Sequence, residues 1–240
     1  MRRNSALIGL CRNACPCACF AIALYSNSLP AAEIYHLDFT QPEVGAYEIV
    51  AGNPSLQSSA GSLTDVLAFH ATPGGEQIQL PVGVAGSRYE LHYDLLMHGV
   101  VGSDYAFVMR LNATGLRSLN FHGGLNSIYA YQTSPFINQT LAPVLDDRVY
   151  HIGITVDAGV DFWSVAIDGV PASAHPLNGA SLQSIGFGLA PWIGGALNDP
   201  NMYVAIDNIV LTVVPEPSAA TILLIGLLTG RWCVGRRTGR

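Results

Sequence analysis

The stretch Val149–Ala172, VYHIGITVDAGVDFWSVAIDGVPA, decides the fold class of this chain. Side chains alternate sides along a strand, so Tyr150, Ile152, Ile154 and Val156 share one face. Trp163, Val165 and Ile167 do the same in the second half. DAGVD makes the turn between the halves, and Asp168-Gly169 begins the next one. The pattern is a β-hairpin with one buried face, and Trp163 belongs to that face.

Outward from this hairpin, Ile34 to Val214 is a succession of short alternating segments separated by Gly, Pro, Asn and Asp. Strands are expected near Ile34–Thr40, Val66–His70, Gln77–Pro81, Ser87–His98, Tyr105–Leu111 and Leu116–His122. Further strands are expected near Ser127–Tyr131, Val149–Asp157, Asp161–Asp168, Ser184–Leu189 and Tyr203–Val213. There is no long helical pattern, internal repeat or low-complexity linker, so residues 33–213 read as one all-β sandwich or barrel.

Charge and cysteine are both lopsided. The chain has no lysine, and between Glu33 and Val214 it keeps four arginines against sixteen acidic residues, a balance of −12. A surface this acidic repels a phosphate backbone, so nucleic acid is excluded as a partner. Neutral ligands and divalent cations suit it better. Cys11, Cys15, Cys17, Cys19 and Cys233 all lie near the ends, so no disulfide framework holds the folded part. The CPCAC spacing at 15–19 falls within a leader and is not read as a metal site.

The two ends are addresses. Residues 1–32 have a basic start at Arg2 and Arg3, an apolar stretch from about Cys15 to Tyr25, and small residues in SLPAA for cleavage. That is the build of a secretory signal peptide. Residues 214–240 contain Pro215-Glu216-Pro217, the apolar run Ala219–Gly230, then Arg231, Arg236, Arg237 and Arg240. Ser218 to Gly235 gives a helix of about 27 Å, enough to cross a bilayer core if Arg231 snorkels. The arginines then stay cytoplasmic, and the prolines leave an extended spacer that a protease can reach.

This end resembles the PEP-CTERM sorting signal of exported bacterial proteins, all three parts standing in order at the extreme C-terminus. The resemblance implies an exosortase-type protease as partner, transient residence in the inner membrane, and release to the cell surface or extracellular matrix. A permanent single-span anchor is the plainer alternative. The hairpin, with LQSIGFGLA and VAIDNIVLTVVPEPS after it, resembles the concanavalin-like (laminin-G/lectin-like) jelly roll over about residues 87–213. That implies a jelly-roll β-sandwich, one of whose curved faces often holds saccharides.

Candidate glycan-binding residues follow from SRYELHYDLLMHG, where Tyr89, Leu91, Tyr93 and Leu95 form an apolar face and Arg88, Glu90, His92 and Asp94 a polar one. Arg110, Asn120, His122 and His151 are expected to share that polar face. Tyr129, Tyr131 and above all Trp192, in APWIGG, supply flat rings for stacking on pyranoses. Catalysis needs two carboxylates about a glycosidic bond. Glu90 and Asp94 stand roughly 13 Å apart along one strand, and Asp146-Asp147 read as a soluble turn. No G-x-S-x-G or H-E-x-x-H motif occurs. The reading is therefore non-catalytic, with a divergent glycan-active hydrolase or lyase as the alternative. By resemblance to jelly-roll modules, calcium tying first to last strand would use Asp38, Asp207 and Asn208. Weak binding of extracellular polysaccharide is the expected activity.

Overall fold

The computed structural model describes residues 32–40, 46–82, 88–113, 115–179, 181–192 and 199–214. Among the described residues every element is a strand, and no helix is long and apolar enough to cross a membrane. The leader and the sorting motif (Pro215, Glu216, Pro217, Arg236, Arg237) lie outside them.

The strands form two sheets. Sheet A has the order β13 (Val170–Pro176), β12 (Phe162–Ile167), β11 (Val149–Asp157), β6 (Arg88–His98), β15 (Asp199–Val214), β4 (Leu63–Ala71), β3 (Ser55–Ala60). Strand β1 (Ala32–Leu37) also pairs with β15. Sheet B has the order β10 (Phe136–Pro143), β9 (Ser127–Thr133), β8 (Gly115–His122), β7 (Tyr105–Ala113), β14 (Ser184–Pro191), β5 (Glu76–Pro81), β2 (Glu48–Ala51).

The hairpin that opened the sequence is β11–β12, with Ile152 opposite Ile167 and Val156 opposite Trp163. Its core face is buried throughout, as are Tyr89, Leu91, Tyr93 and Leu95 of the adjacent β6. The next turn holds Asp168 at φ 52° and Gly169 at φ 75°, two left-handed residues in succession, which Asp-Gly tolerates and most pairs do not. Aromatic rings join the sheets edge to face: Tyr93 of sheet A meets Phe187 of sheet B at 5.1 Å, and Tyr150 meets Phe121 at 6.0 Å.

Every expected strand is present. Four more are found, β2, β3, β10 and β13, and these are the outer strands of the two sheets. An outer strand packs on one neighbour only, so its pattern relaxes: SLQSSA in β3 is polar, and VPASAHP in β13 carries two prolines. Strand β15 also starts earlier than expected and changes phase. Met202, Val204 and Ile206 are buried before Asn208, and Ile209, Leu211 and Val213 after it. Asn208 sits at φ 51°, a left-handed residue at the point where the burial pattern changes phase.

One buried polar group ties the sheets. Gln132 of β9 accepts from Trp163 Nε1 of β12 at 2.8 Å through its Oε1. Its Nε2 donates to Ser134 O at 2.7 Å and to Pro176 O, at the end of β13, at 3.0 Å. Beside it the buried Arg117 donates to Leu177 O. Gln132→Leu keeps the volume and strands these partners. At roughly 1–3 kcal/mol per buried unsatisfied group, the loss is about 3 kcal/mol. Thermal or urea unfolding should show that loss, and adding Trp163→Phe should recover part of it, because the stranded indole donor is then gone.

Candidate functional site

On sheet B the alternation that buries Phe107, Met109, Leu119, Phe121, Ile128 and Phe187 turns the intervening residues outward. The register then assembles rows. Gly186 of β14 is opposite Arg110 of β7, which is opposite Ser118 of β8, which is opposite Tyr131 of β9. In the next row Gly188, Val108, Asn120 and Tyr129 follow in the same way. Four adjacent strands at about 4.8 Å spacing give each row a span of roughly 14 Å, enough for a short oligosaccharide.

Aromatics gather at one end. Trp192, 63 % exposed at the end of β14, meets the His122 ring at 4.5 Å, and His122 meets Tyr129 at 6.5 Å. His122 itself is buried, which pushes its imidazole below the usual histidine range and keeps it neutral. Its Nδ1 accepts from Leu125 N at 3.2 Å, so Nε2 carries the hydrogen, and that atom meets no partner among the described residues. Further along, Tyr131 packs against the exposed Phe136 at 5.9 Å.

Beside Arg110 the surface falls into a furrow over the two glycines. A Cβ on Gly188 would stand 2.8 Å from Glu76 O, so only glycine allows β5 to lie this close. A Cβ on Gly186 would meet Gln77 Nε2 at 3.5 Å and Arg110 Cβ at 3.8 Å, ordinary contact distances that put both side chains beside this position. The depression measures about 50 Å³ and is lined by Gln77, Val108, Arg110, Gly186, Gly188 and Glu76, whose buried carboxylate accepts from His70 N at 2.7 Å. The signal for it was in the sequence: in SIGFGLA a buried Phe187 is flanked by bare outward positions.

The structure divides the expected site between the sheets. Arg110, Asn120, His122 and Trp192 belong to sheet B, whereas Glu90, His92 and Asp94 lie on the outer face of sheet A, with only His151 joining them as expected. Alternation gives a residue's face within its strand; which sheet the strand enters is a matter of long-range pairing. On sheet A the charges are spent on each other. Glu90 pairs with Arg88, and Asp94 accepts from His151 Nδ1 at 2.6 Å and from Asn208 Nδ2 at 2.9 Å. Shallow hollows of about 440 and 570 Å³ meet beside His92 and Gly153. Asp146 and Asp147 are structural: Asp146 accepts from Val100 N at 2.9 Å, and Asp147 bonds His98 at 2.6 Å.

Asp38, Asp207 and Asn208 do come near one another, since β1 pairs with β15 as far as Leu37 opposite Ile209. Asp38 is engaged by Thr40, Asp207 by Asn208, and among the described residues no three His, Cys, Asp or Glu side chains are placed to hold a metal ion.

No protein-family model matches the chain, and no curated protein matches it. Solved structures do. The cellulose-induced protein Cip1 superposes with a TM-score of 0.60 at 10 % identity, covering 77 % of this chain and all 100 % of its own. The apo Crh5 transglycosylase gives 0.56 at 13 %, covering 79 % of this chain and 87 % of that one. A sialidase gives 0.56 at 11 % over 76 % of this chain, which spans only 18 % of the sialidase's length. The likeness establishes a jelly-roll-type β-sandwich.

Asp207 gives the fold a measurable pH dependence. Burial raises its carboxyl to about 6, with Asp94, Asp38 and Asp65 adding to the shift and the Asn208 N–H opposing it. The folded state therefore binds this proton more tightly than the unfolded chain. The group adds stability below the ordinary carboxylate range and loses it as pH rises through about 6. The thermal midpoint should climb between pH 7.5 and 4.5 relative to Asp207→Asn, which lacks the ionisation and should be the more stable protein at pH 7.5.

Proposed function

We propose that this is an exported, surface-sorted, non-catalytic protein whose β-sandwich binds glycan on the outer face of sheet B. The observation that carries the reading is the neutral, aromatic character of that face in a strongly acidic domain. Trp192, Tyr129 and Tyr131 offer rings to stack on sugars. Asn120 and Gln77 offer uncharged hydrogen bonds around them, the mix that fixes a sugar's orientation without charge. Support also comes from the names of the structural neighbours: a sialidase, a transglycosylase and a cellulose-induced protein. Delivery is read from the ends of the chain: a signal peptide for export, and a Pro-Glu-Pro, apolar, arginine tail for exosortase-type processing and release to the surface or matrix.

A second reading, a glycan-active hydrolase or lyase, is favoured by one observation on sheet A. The Asn208 amide donates both to Asp94 at 2.9 Å and to Asp207 at 3.2 Å, which brings two carboxyl groups of unlike environment together. Asp207 is 6 % exposed and faces its own strand neighbours, which argues against its reaching a substrate.

Glycan-array binding by the full-length chain in mild detergent tests the first reading. Trp192→Ala and Tyr129→Ala should each weaken binding about tenfold, on the scale of one lost ring contact at roughly 1–1.5 kcal/mol. Binding untouched by both, or absent from the wild type, overturns it. Release of reducing or unsaturated ends that is lost in Asp94→Asn would favour the enzyme. Mass spectrometry of surface-released protein tests delivery separately: the mature chain should begin near Ala32 and end close to Pro217.

A further inference from the structure

We propose that the saccharide taken by the sheet B face carries a carboxylate, which sits on Arg110 in the furrow over Gly186 and Gly188. This rests on the glycan-binding reading and adds to it the charge class of the ligand.

The arginines of the sandwich are otherwise engaged. Arg88 pairs with Glu90 and Arg148 with Asp168, while Arg117 is buried and donates to Leu177 O. Arg110 alone turns outward with no ion pair among the described residues. Acidic residues outnumber arginines four to one between Glu33 and Val214, so an unpaired guanidinium is the improbable state for any arginine placed without a ligand in view.

Its neighbours keep it unpaired. The flanking register partners are Gly186 and Ser118, and Val108 and Asn112 are the next outward residues along its own strand. Among the described outward positions of sheet B the only carboxylate is Glu48, on the edge strand β2. The guanidinium therefore presents its planar fork of N–H donors to solvent beside a small, open hollow.

The size of the hollow indicates which part of a sugar enters it. About 50 Å³ admits a carboxylate, or one or two waters, and is far too small for a pyranose ring. The ring then lies above, over Asn120 towards Tyr131 and Tyr129, with its acid group lowered into the hollow beside Arg110 and Gln77. The rest of the domain limits how acidic the ligand is. Its net negative field opposes a dense polyanion, but at a screening length of about 10 Å it tolerates single carboxylates spaced among neutral sugars. The ligand class is a sparsely acidic heteropolysaccharide.

Deacylated gellan, with a single glucuronate among the neutral sugars of its repeat, is the probe, and its carboxyl-reduced form is the control. Titration into the full-length chain should give at least tenfold tighter binding of the native than of the reduced polymer. Arg110→Gln should remove that difference by costing the native polymer at least tenfold and the reduced form markedly less. Arg110→Lys should restore only part, because a point charge lacks the two-pronged contact. An unchanged thermal midpoint confirms that the outward-facing substitutions leave the fold intact. Equal affinity for the two polymers, or an equal loss for both in Arg110→Gln, overturns the carboxylate assignment and leaves neutral glycan binding standing. No binding of either polymer, or of any array glycan, overturns the glycan reading itself.

Discussion

The carboxamide of Gln132 is the constraint on which the arrangement of this sandwich depends. It is a polar side chain on the core face of β9, where an unsatisfied amide is costly, and it meets its needs by reaching out of its own sheet. Its oxygen takes the indole N–H of Trp163, and its nitrogen closes on the carbonyls of Ser134 and Pro176. The ends of β9, β12 and β13 are thereby held at one level. A slip of β9 by one residue would break all three bonds, and would also turn Tyr129 and Tyr131 inward. The knot that joins the sheets is thus also what keeps the aromatic rings on the outside.

The division of charge follows from the same two-sheet plan. On sheet A, outward acids meet outward bases across the ladder, as Asp94 meets His151, and the face is a solvated one whose charges are mutually satisfied. On sheet B, most outward positions are a hydroxyl, an amide, an aromatic ring, glycine or a small apolar residue. The acidic domain thus keeps one face almost free of charge, with its one outward guanidinium there unpaired.

How much of this was legible in the sequence depends on how local the signal was. Alternation in Val149–Ala172 and in SRYELHYDLLMHG put the right residues on the core face, Trp163 included, because that pattern is set within a strand. The outer strands β2, β3, β10 and β13 were hidden, since a strand with one neighbour and an exposed face has no reason to alternate. The grouping of Glu90, His92 and Asp94 with Arg110 and His122 failed for a different reason. Each was rightly read as facing outward, but two sheets have two outer faces, and sequence alone did not assign β6 and β7 to different sheets. The furrow was written in GFG yet needs β5 beside β14 to become one.

The place of the aromatic cluster within the sandwich follows from how β1, β6 and β15 pair. Ala32 pairs with Val213, so both ends of the sandwich emerge side by side. Thr212 bonds to Glu90 O near the start of β6, which places that exit at the Arg88 end. The opposite end of β6, eleven residues or roughly 35 Å away, carries His98 with Asp147. The loop that follows β6 reaches the aromatic end of sheet B through Gly102 N donating to Gly123 O, and Asp104 O accepting from Trp192 N. Trp192 and His122 therefore stand at the end of the sandwich farthest from Val213.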